Sequence, residues 1–169
     1  MEGNLGTQVI RLAKTPADIA ATSDAITTIC DMGTCAHATA VIAFTYATSS
    51  DITDVAFWTS TSDTCGVAST AQVASTNTVQ VQIVSDADHL VSKDTSNNNV
   101  SDLTVSSYYI SSIAASGVTV VDLPNIRRYL FMQYNQAGDA GVGTADLGVV
   151  FIGRDGQEQP DKPPTRTAY

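Results

Sequence analysis

Charge is scarce in this chain. Asp, Glu, Lys and Arg make up 15% of its 169 residues, against about 25% in ordinary soluble domains. The shortage is greatest on the positive side: 8 Lys and Arg stand against 17 Asp and Glu, a formal net charge of −9. A nucleic-acid backbone is repelled by that average field, which argues against nucleic acid as a partner. Long apolar runs are also missing. No window approaches the roughly 18 consecutive apolar residues of a membrane-spanning helix. The opening Met1-Glu2-Gly3-Asn4 carries an acid and no basic stretch followed by an apolar one, which argues against a secretory signal. The expectation is a protein made in a cytoplasm, with no membrane partner.

Residues that carry chemistry are few as well. The two histidines, His37 and His89, sit near no G-x-S-x-G elbow, so no nucleophile–base pair stands out. Glu2 and Glu158 fall in the two terminal segments. Asp51, Asp63, Asp86, Asp88, Asp102 and Asp139 sit beside turn residues, where Asp bonds its own backbone. Asp86-Ala87-Asp88 begins like a calcium loop but lacks the later Gly and Glu. Gly138-Asp139-Ala140-Gly141-Val142-Gly143 has no Lys after it and precedes a strand, so it is a hairpin connection rather than a phosphate cradle. Three cysteines make no closed disulfide set. A zinc set of Cys30, Cys35, His37 and Cys65 lacks the tight Cys-x₂-Cys knuckle. The thiols read better as small apolar fillers. The expectation is no catalytic residue, no cofactor and no metal.

Ser, Thr, Asn and Gln fill the place of the missing charges. Thr and Val favour strands, Ser and Asn favour turns. Strands are predicted at Thr7–Ala13, Ala25–Met32, Ala38–Thr48, Asp54–Thr61, Thr78–Val84, Leu103–Ser111, Val118–Leu123, Arg128–Tyr134 and Leu147–Ile152. Pro16–Asp24 reads as a helical turn or a loop. Ser62–Ala74 and Asp86–Asn99 read as loops. In Thr78–Val84 the period of two puts Val79, Val81 and Ile83 inward. Val55 and Phe57 oppose Ala56 and Trp58. Ile42, Phe44 and Tyr46 oppose the smaller Val41, Ala43, Thr45 and Ala47, as in a strand covered on both faces. Arg128–Tyr134 carries large apolar residues on both faces and should lie centrally.

Short strands spaced by turn signals predict an all-β chain: an antiparallel β-sandwich, a jelly roll or a Greek-key barrel. Residues 1–152 read as one domain with a short arm at 1–6. From Gly153 the chain becomes polar and proline-rich, with Pro160, Pro163 and Pro164 before Tyr169, and reads as an extended C-terminal tail at 153–169. Such a tail reads either as plain disorder or as an arm that orders on a neighbour. With Arg154, Pro160, Pro163, Pro164 and Tyr169, it is one candidate contact. Arg127-Arg128 is the other. This basic pair reads either as a strand-start pair bonded to an acid such as Asp122, or as a subunit contact, since Arg is enriched at interfaces.

The C-terminal third has a further order of features. Val120-Val121-Asp122-Leu123-Pro124 leads into Arg128-Tyr129-Leu130, then a strand with Phe131 and Tyr134, a Gly/Ala-rich hairpin and Leu147–Ile152. It resembles the capsid decoration, or cement, proteins of tailed bacteriophages. Ile29-Cys30-Asp31-Met32-Gly33 and Phe57-Trp58-Thr59-Ser60-Thr61-Ser62-Asp63 are similar to earlier pieces of that family. The resemblance spans roughly residues 25–152 with gaps, and the long 62–75 and 86–102 segments and the tail depart from it. It implies a jelly-roll-like β-sandwich that forms homo-oligomers, dimers or trimers. It further implies binding to the major capsid protein on the virion exterior, without catalysis or cofactor. Competing expectations are another phage structural module (tail, connector or fibre-associated) and a carbohydrate-binding β-sandwich with Trp58, Tyr108 and Tyr109 as its platform.

Overall fold

The computed structural model describes residues 8–18, 25–45, 51–63, 78–83, 89–100, 105, 107–113, 115–137 and 146–155. Among them every regular element is a strand, every strand pairing is antiparallel, and there is no helix. The strands are β1 (Gln8–Asp18), β2 (Ala25–Ile26), β3 (Cys30–Asp31), β4 (Cys35–Thr45), β5 (Asp51–Ser60), β6 (Thr78–Gln80), β7 (Leu90–Asp94), β8 (Tyr109–Ile113), β9 (Gly117–Leu123), β10 (Tyr129–Ala137) and β11 (Asp146–Asp155). Five of them form one sheet in the order β1-β11-β4-β9-β7. The other six form a second sheet. There β10 and β5 run side by side, β2 and β3 share the far edge of β10, and β6 and β8 share the far edge of β5.

Both sheets feed one hydrophobic core. Ile42, Phe44, Val121, Leu147, Val149 and Phe151 come from the first sheet, and Ile52, Val55, Phe57, Ile110, Leu130 and Met132 from the second. Phe57 and Phe151 meet edge to face across the two sheets, with ring centroids 6.4 Å apart, a favoured aromatic geometry. The sheets are also tied at one edge: the Thr28 N–H donates to the Ala13 carbonyl of β1 over 2.9 Å. Gly153 of β11 allows a close approach. A Cβ there would lie 2.7 Å from Cys35 Sγ and 2.8 Å from Met32 Cε.

The inward–outward splits read from sequence hold for β5 and β10. Val55 and Phe57 enter the shared core, while Ala56 and Trp58 face the other way and cluster with Phe131. In β10, Leu130 and Met132 bury inward and Phe131 outward, on a strand flanked on both sides. Several expectations need correction. Pro16 sits in no helical turn: β1 runs on to Asp18, with register irregularities at Leu12–Lys14 and Lys14–Ala17. An edge strand with such breaks tolerates a residue that has no N–H to give. Ala25–Met32 is two short strands rather than one, because Thr27 turns its hydroxyl to the Met132 N–H at 3.0 Å.

The expected 86–99 loop contains β7. It ends in a turn where the Asp94 carboxylate accepts from the Ser96 and Asn98 backbone N–H groups at 2.9 and 2.8 Å, with Asn97 at φ 64°. These bonds hold the Asp94 carboxyl below its ordinary range, the Asn98 N–H first among them. Of Thr78–Val84 only Thr78–Gln80 is strand. Val81 and Ile83 bury as the alternation predicts, but Val79 is exposed and Thr78 buried. Val79 stands opposite Thr59, whose hydroxyl accepts the Arg127 N–H of the 126–128 corner, so it lies at the end of the sheet. The strand expected at Leu103–Ser111 begins at Tyr109. Finally, β11 runs to Asp155, past the expected start of the tail at Gly153, and pairs Arg154 with Gln8 and His37.

Candidate functional site

The corner at 124–128 delivers Arg127 and Arg128 into β10. Ile126 buries beneath it and its N–H bonds the Ala36 carbonyl at 2.9 Å. Asn125 takes φ 56°, a left-handed conformation that Asn tolerates better than most residues. Arg128 does not pair with Asp122. Its Nη2 donates to Asp31 Oδ2 at 2.8 Å, and its Nε lies 3.1 and 3.2 Å from the two carboxylate oxygens. Asp122 instead accepts from the Thr39 hydroxyl at 2.8 Å.

Asp31 gathers further partners. Its Oδ1 accepts the Gly33 N–H at 2.8 Å, and its backbone carbonyl accepts Nε of Arg11 at 2.9 Å. The Arg128 hydrogen bond, then the Gly33 N–H, hold the Asp31 carboxyl down at about 2. The same contact raises Arg128 above its ordinary value. The pair is solvent-exposed, so it fixes geometry more than it adds stability. It clasps β1, β3 and the corner together, at the edge where the two sheets join.

Arg154 stands at this same end. It follows Gly153, which touches Met32, and Met32 donates its N–H to the Arg128 carbonyl at 2.7 Å. Thus Arg11, Arg127, Arg128 and Arg154, the arginines among the described residues, collect at one end of the sheets. The opposite end holds acids by register: Asp146 opposes Asp18 and Thr45, and Asp51 opposes Ala137. Arg127, Arg128 and Arg154, expected as interface residues, come together at the arginine end. Arg11 was not legible as one of them, since only the β1–β3 contact brings it in. Pro160, Pro163, Pro164 and Tyr169 lie outside the described residues.

A second surface is the outward face of the five-stranded sheet. Cross-strand partners on it form a continuous apolar row, Leu12–Val150–Val41–Val120–Val91, that crosses all five strands. The adjacent row toward the arginine end is Ile10–Ile152–Thr39–Asp122, and the row on the other side is Gly148–Ala43–Val118–Lys93. Ile10 is 61% exposed, Leu12 55% and Val118 41%. Gly148 leaves room for the Pro16 ring, whose Cγ would be 2.9 Å from a Cβ there. The small face of β4 is therefore open, not covered by a second layer as its sequence predicted. With Ile10, Leu12 and Val118 exposed and the valines of the central row half-buried, this face is a candidate contact surface.

The remaining expected sites separate. Cys30 and Cys35 are buried thiols, and burial raises the Cys30 thiol above its ordinary value. His37 is exposed on β4, and Cys65 lies outside the described residues. Among the described residues no three of His, Cys, Asp and Glu gather closely enough to hold a metal ion. Asp86, Asp88, Asp102 and Asp139 lie outside the described residues. Trp58 does not share an open platform with Tyr108 and Tyr109. The tyrosines are exposed, whereas Trp58 is 7% exposed and its indole N–H is buried without a hydrogen-bond partner. Among the described residues no helix is long and apolar enough to cross a membrane. Comparison with protein-family models, with curated proteins and with solved structures found no match.

Proposed function

We propose that this chain is a virion structural protein, a jelly-roll β-sandwich that binds the outer surface of a bacteriophage capsid and stabilises the assembled shell. The observation that carries the reading is the strand order. Taking β2 with β3, and β6 with β8, as sharing one position each leaves nine positions. They pair as β1-β11-β4-β9-β7 in one sheet and β2/β3-β10-β5-β6/β8 in the other. Along the chain successive strands alternate between sheets except at β2–β3 and β5–β6, and β7 crosses to the edge of the first sheet between β6 and β8. With β7 set aside as an added edge strand, this order fits a double Greek-key jelly roll, an architecture used in viral capsid and lectin domains. A fold hosts many functions. The likeness of residues 25–152 to decoration proteins, together with a surface built of contact faces, favours the capsid.

The partners are the major capsid protein and further copies of the chain. No catalysis, cofactor, nucleic acid or membrane enters the reading. Binding that favours the assembled shell shifts the equilibrium toward it by mass action. Repetition over a symmetric shell makes many modest contacts act together. Arg127, Arg128 and the proline-rich segment 156–169 are the contacts assigned to the shell.

Purified phage particles test this. The chain should co-purify with virions, and reconstruction should place its density on the capsid exterior at junctions of major capsid subunits. Density at the tail, connector or fibre would assign a different structural role. Absence from particles would sink the proposal.

A further inference from the structure

We propose that the outward face of the five-stranded sheet docks on the same face of a second copy, about a two-fold axis running along the row Leu12–Val150–Val41–Val120–Val91. This deepens the oligomeric part of the reading above, resting on it for the expectation of self-association and on none of its capsid part.

The argument is charge complementarity around an apolar centre. Along β11, odd-numbered Leu147, Val149 and Phe151 point into the core, so Asp146, Val150, Ile152 and Arg154 share the outward face. Asp146 and Arg154 are both exposed and stand at opposite ends of that strand. They are separated by about 26 Å at roughly 3.3 Å per residue. A two-fold axis that crosses the strands reverses their direction but keeps their order. Each strand then faces its own copy, and Arg154 of each copy faces Asp146 of the other. Val150 faces Val150, and Val41 faces Val41.

The inner rows agree. Asp122 lies one row to the arginine side of the axis, and Lys93 one row to the other side on the neighbouring strand. The same operation brings each Asp122 beside the Lys93 of the other copy. A two-fold axis parallel to the strands through the central β4 would instead lay β11 over β9 and β1 over β7, pairing neither Arg154 with Asp146 nor Asp122 with Lys93. Of the two orientations, the axis across the strands is the one that satisfies both pairs. Packed sheets cross at about 30°, which moves groups some 13 Å from the axis sideways by about 6 Å, within the reach of an Arg side chain.

The area is adequate. Five strands at about 4.8 Å spacing and about 26 Å of strand give roughly 600 Å² per copy. The total of roughly 1,200 Å² lies at the low end of specific interfaces. An apolar centre with charges at its rim is the usual anatomy of such a contact.

Analytical ultracentrifugation of the purified full chain, over a range of concentrations, tests the proposal. The expected species is a dimer. Arg154→Asp and Asp146→Arg each place two like-charge pairs in the interface and should weaken association by about tenfold or more. The double variant, Arg154→Asp with Asp146→Arg, should restore association to near the parent value. Both positions are exposed, and circular dichroism checks that each variant keeps its fold. A chain that stays monomeric up to about 1 mM, a trimer as the smallest assembly, or single variants without effect would overturn the proposal. So would a double variant no tighter than the singles. The measurement contains no capsid, so its failure leaves capsid binding standing, and the reverse.

Discussion

On the outward side of the six-stranded sheet, Trp58, Ala56 and Phe131 form a buried cluster with Ile26 and Ile29 packed against it. On the outward side of the five-stranded sheet, Ile10, Leu12 and Val118 stand open beside a row of half-buried valines. The outward residues of both sheets are apolar, so composition does not separate them. One face belongs to the folded chain and the other is available for contact. The difference also shows in polar detail. The covered face holds a stranded indole N–H, whereas the open face carries charges only around its apolar middle.

The sharpest way to break this comparison is to truncate one residue in the core shared by the two sheets and one on the outward face of the five-stranded sheet. Phe57→Ala empties the core opposite Phe151 and should cost about 3–5 kcal/mol in urea unfolding. Val150→Ala on the open face should cost under about 1 kcal/mol when measured at concentrations that keep the chain monomeric. Equal losses would mean that the outward face is as covered as the core. On the other sheet, Trp58→Phe should cost about 2 kcal/mol less than Trp58→Ala. The smaller ring keeps most of the packing and removes the unpartnered N–H. If Phe and Ala prove equally damaging, the indole nitrogen is bonded after all.

Leu12→Ser should change monomer stability by less than about 0.5 kcal/mol, while lowering self-association. The smallest effect belongs to the Asp31 clasp. Its carboxyl titrates at about 2 in the folded chain and near 4 when unfolded. The depressed value means that its contribution is present above the unfolded value and is lost as pH falls from about 4 toward 2. Thermal unfolding of Asp31→Asn against the parent should converge over that window and differ slightly above it. A gap that persists at the lowest pH would assign Asp31 a role other than its charge. Burial raises Tyr134, so its contribution runs the other way. It is present below the unfolded value near 10 and lost as pH rises through the folded one.

The sequence was informative where one strand's own alternation settles the matter. Val55 and Phe57 against Ala56 and Trp58, or Leu130 and Met132 against Phe131, need only the period of two. It was silent where an outcome depends on a neighbour. Pro16 looked like a helix start because nothing local announces an edge strand ring resting on Gly148. Leu90–Asp94 was lost in a polar stretch because its partner is β9, whose alternation is visible while that of β7 is weak. The Arg127-Arg128 pair suggests a nearby acid such as Asp122, but the acid brought within reach of Arg128 is Asp31, 97 residues away along the chain. The candidate interface residues were legible as arginines and prolines. Their gathering at one end was not.

By itself, the amino-acid sequence determined an all-β chain, the alternation of its longer strands and the shortage of positive charge. All are local or compositional properties. Only the tertiary structure decided which apolar face is covered and which is open, that four arginines from three distant segments share one end, and that Asp146 of β11 stands at the other. Those outcomes depend on strand order and register. Pairing partners lie up to more than a hundred residues apart, as Thr27 and Met132 do, and no local pattern encodes which strands become neighbours.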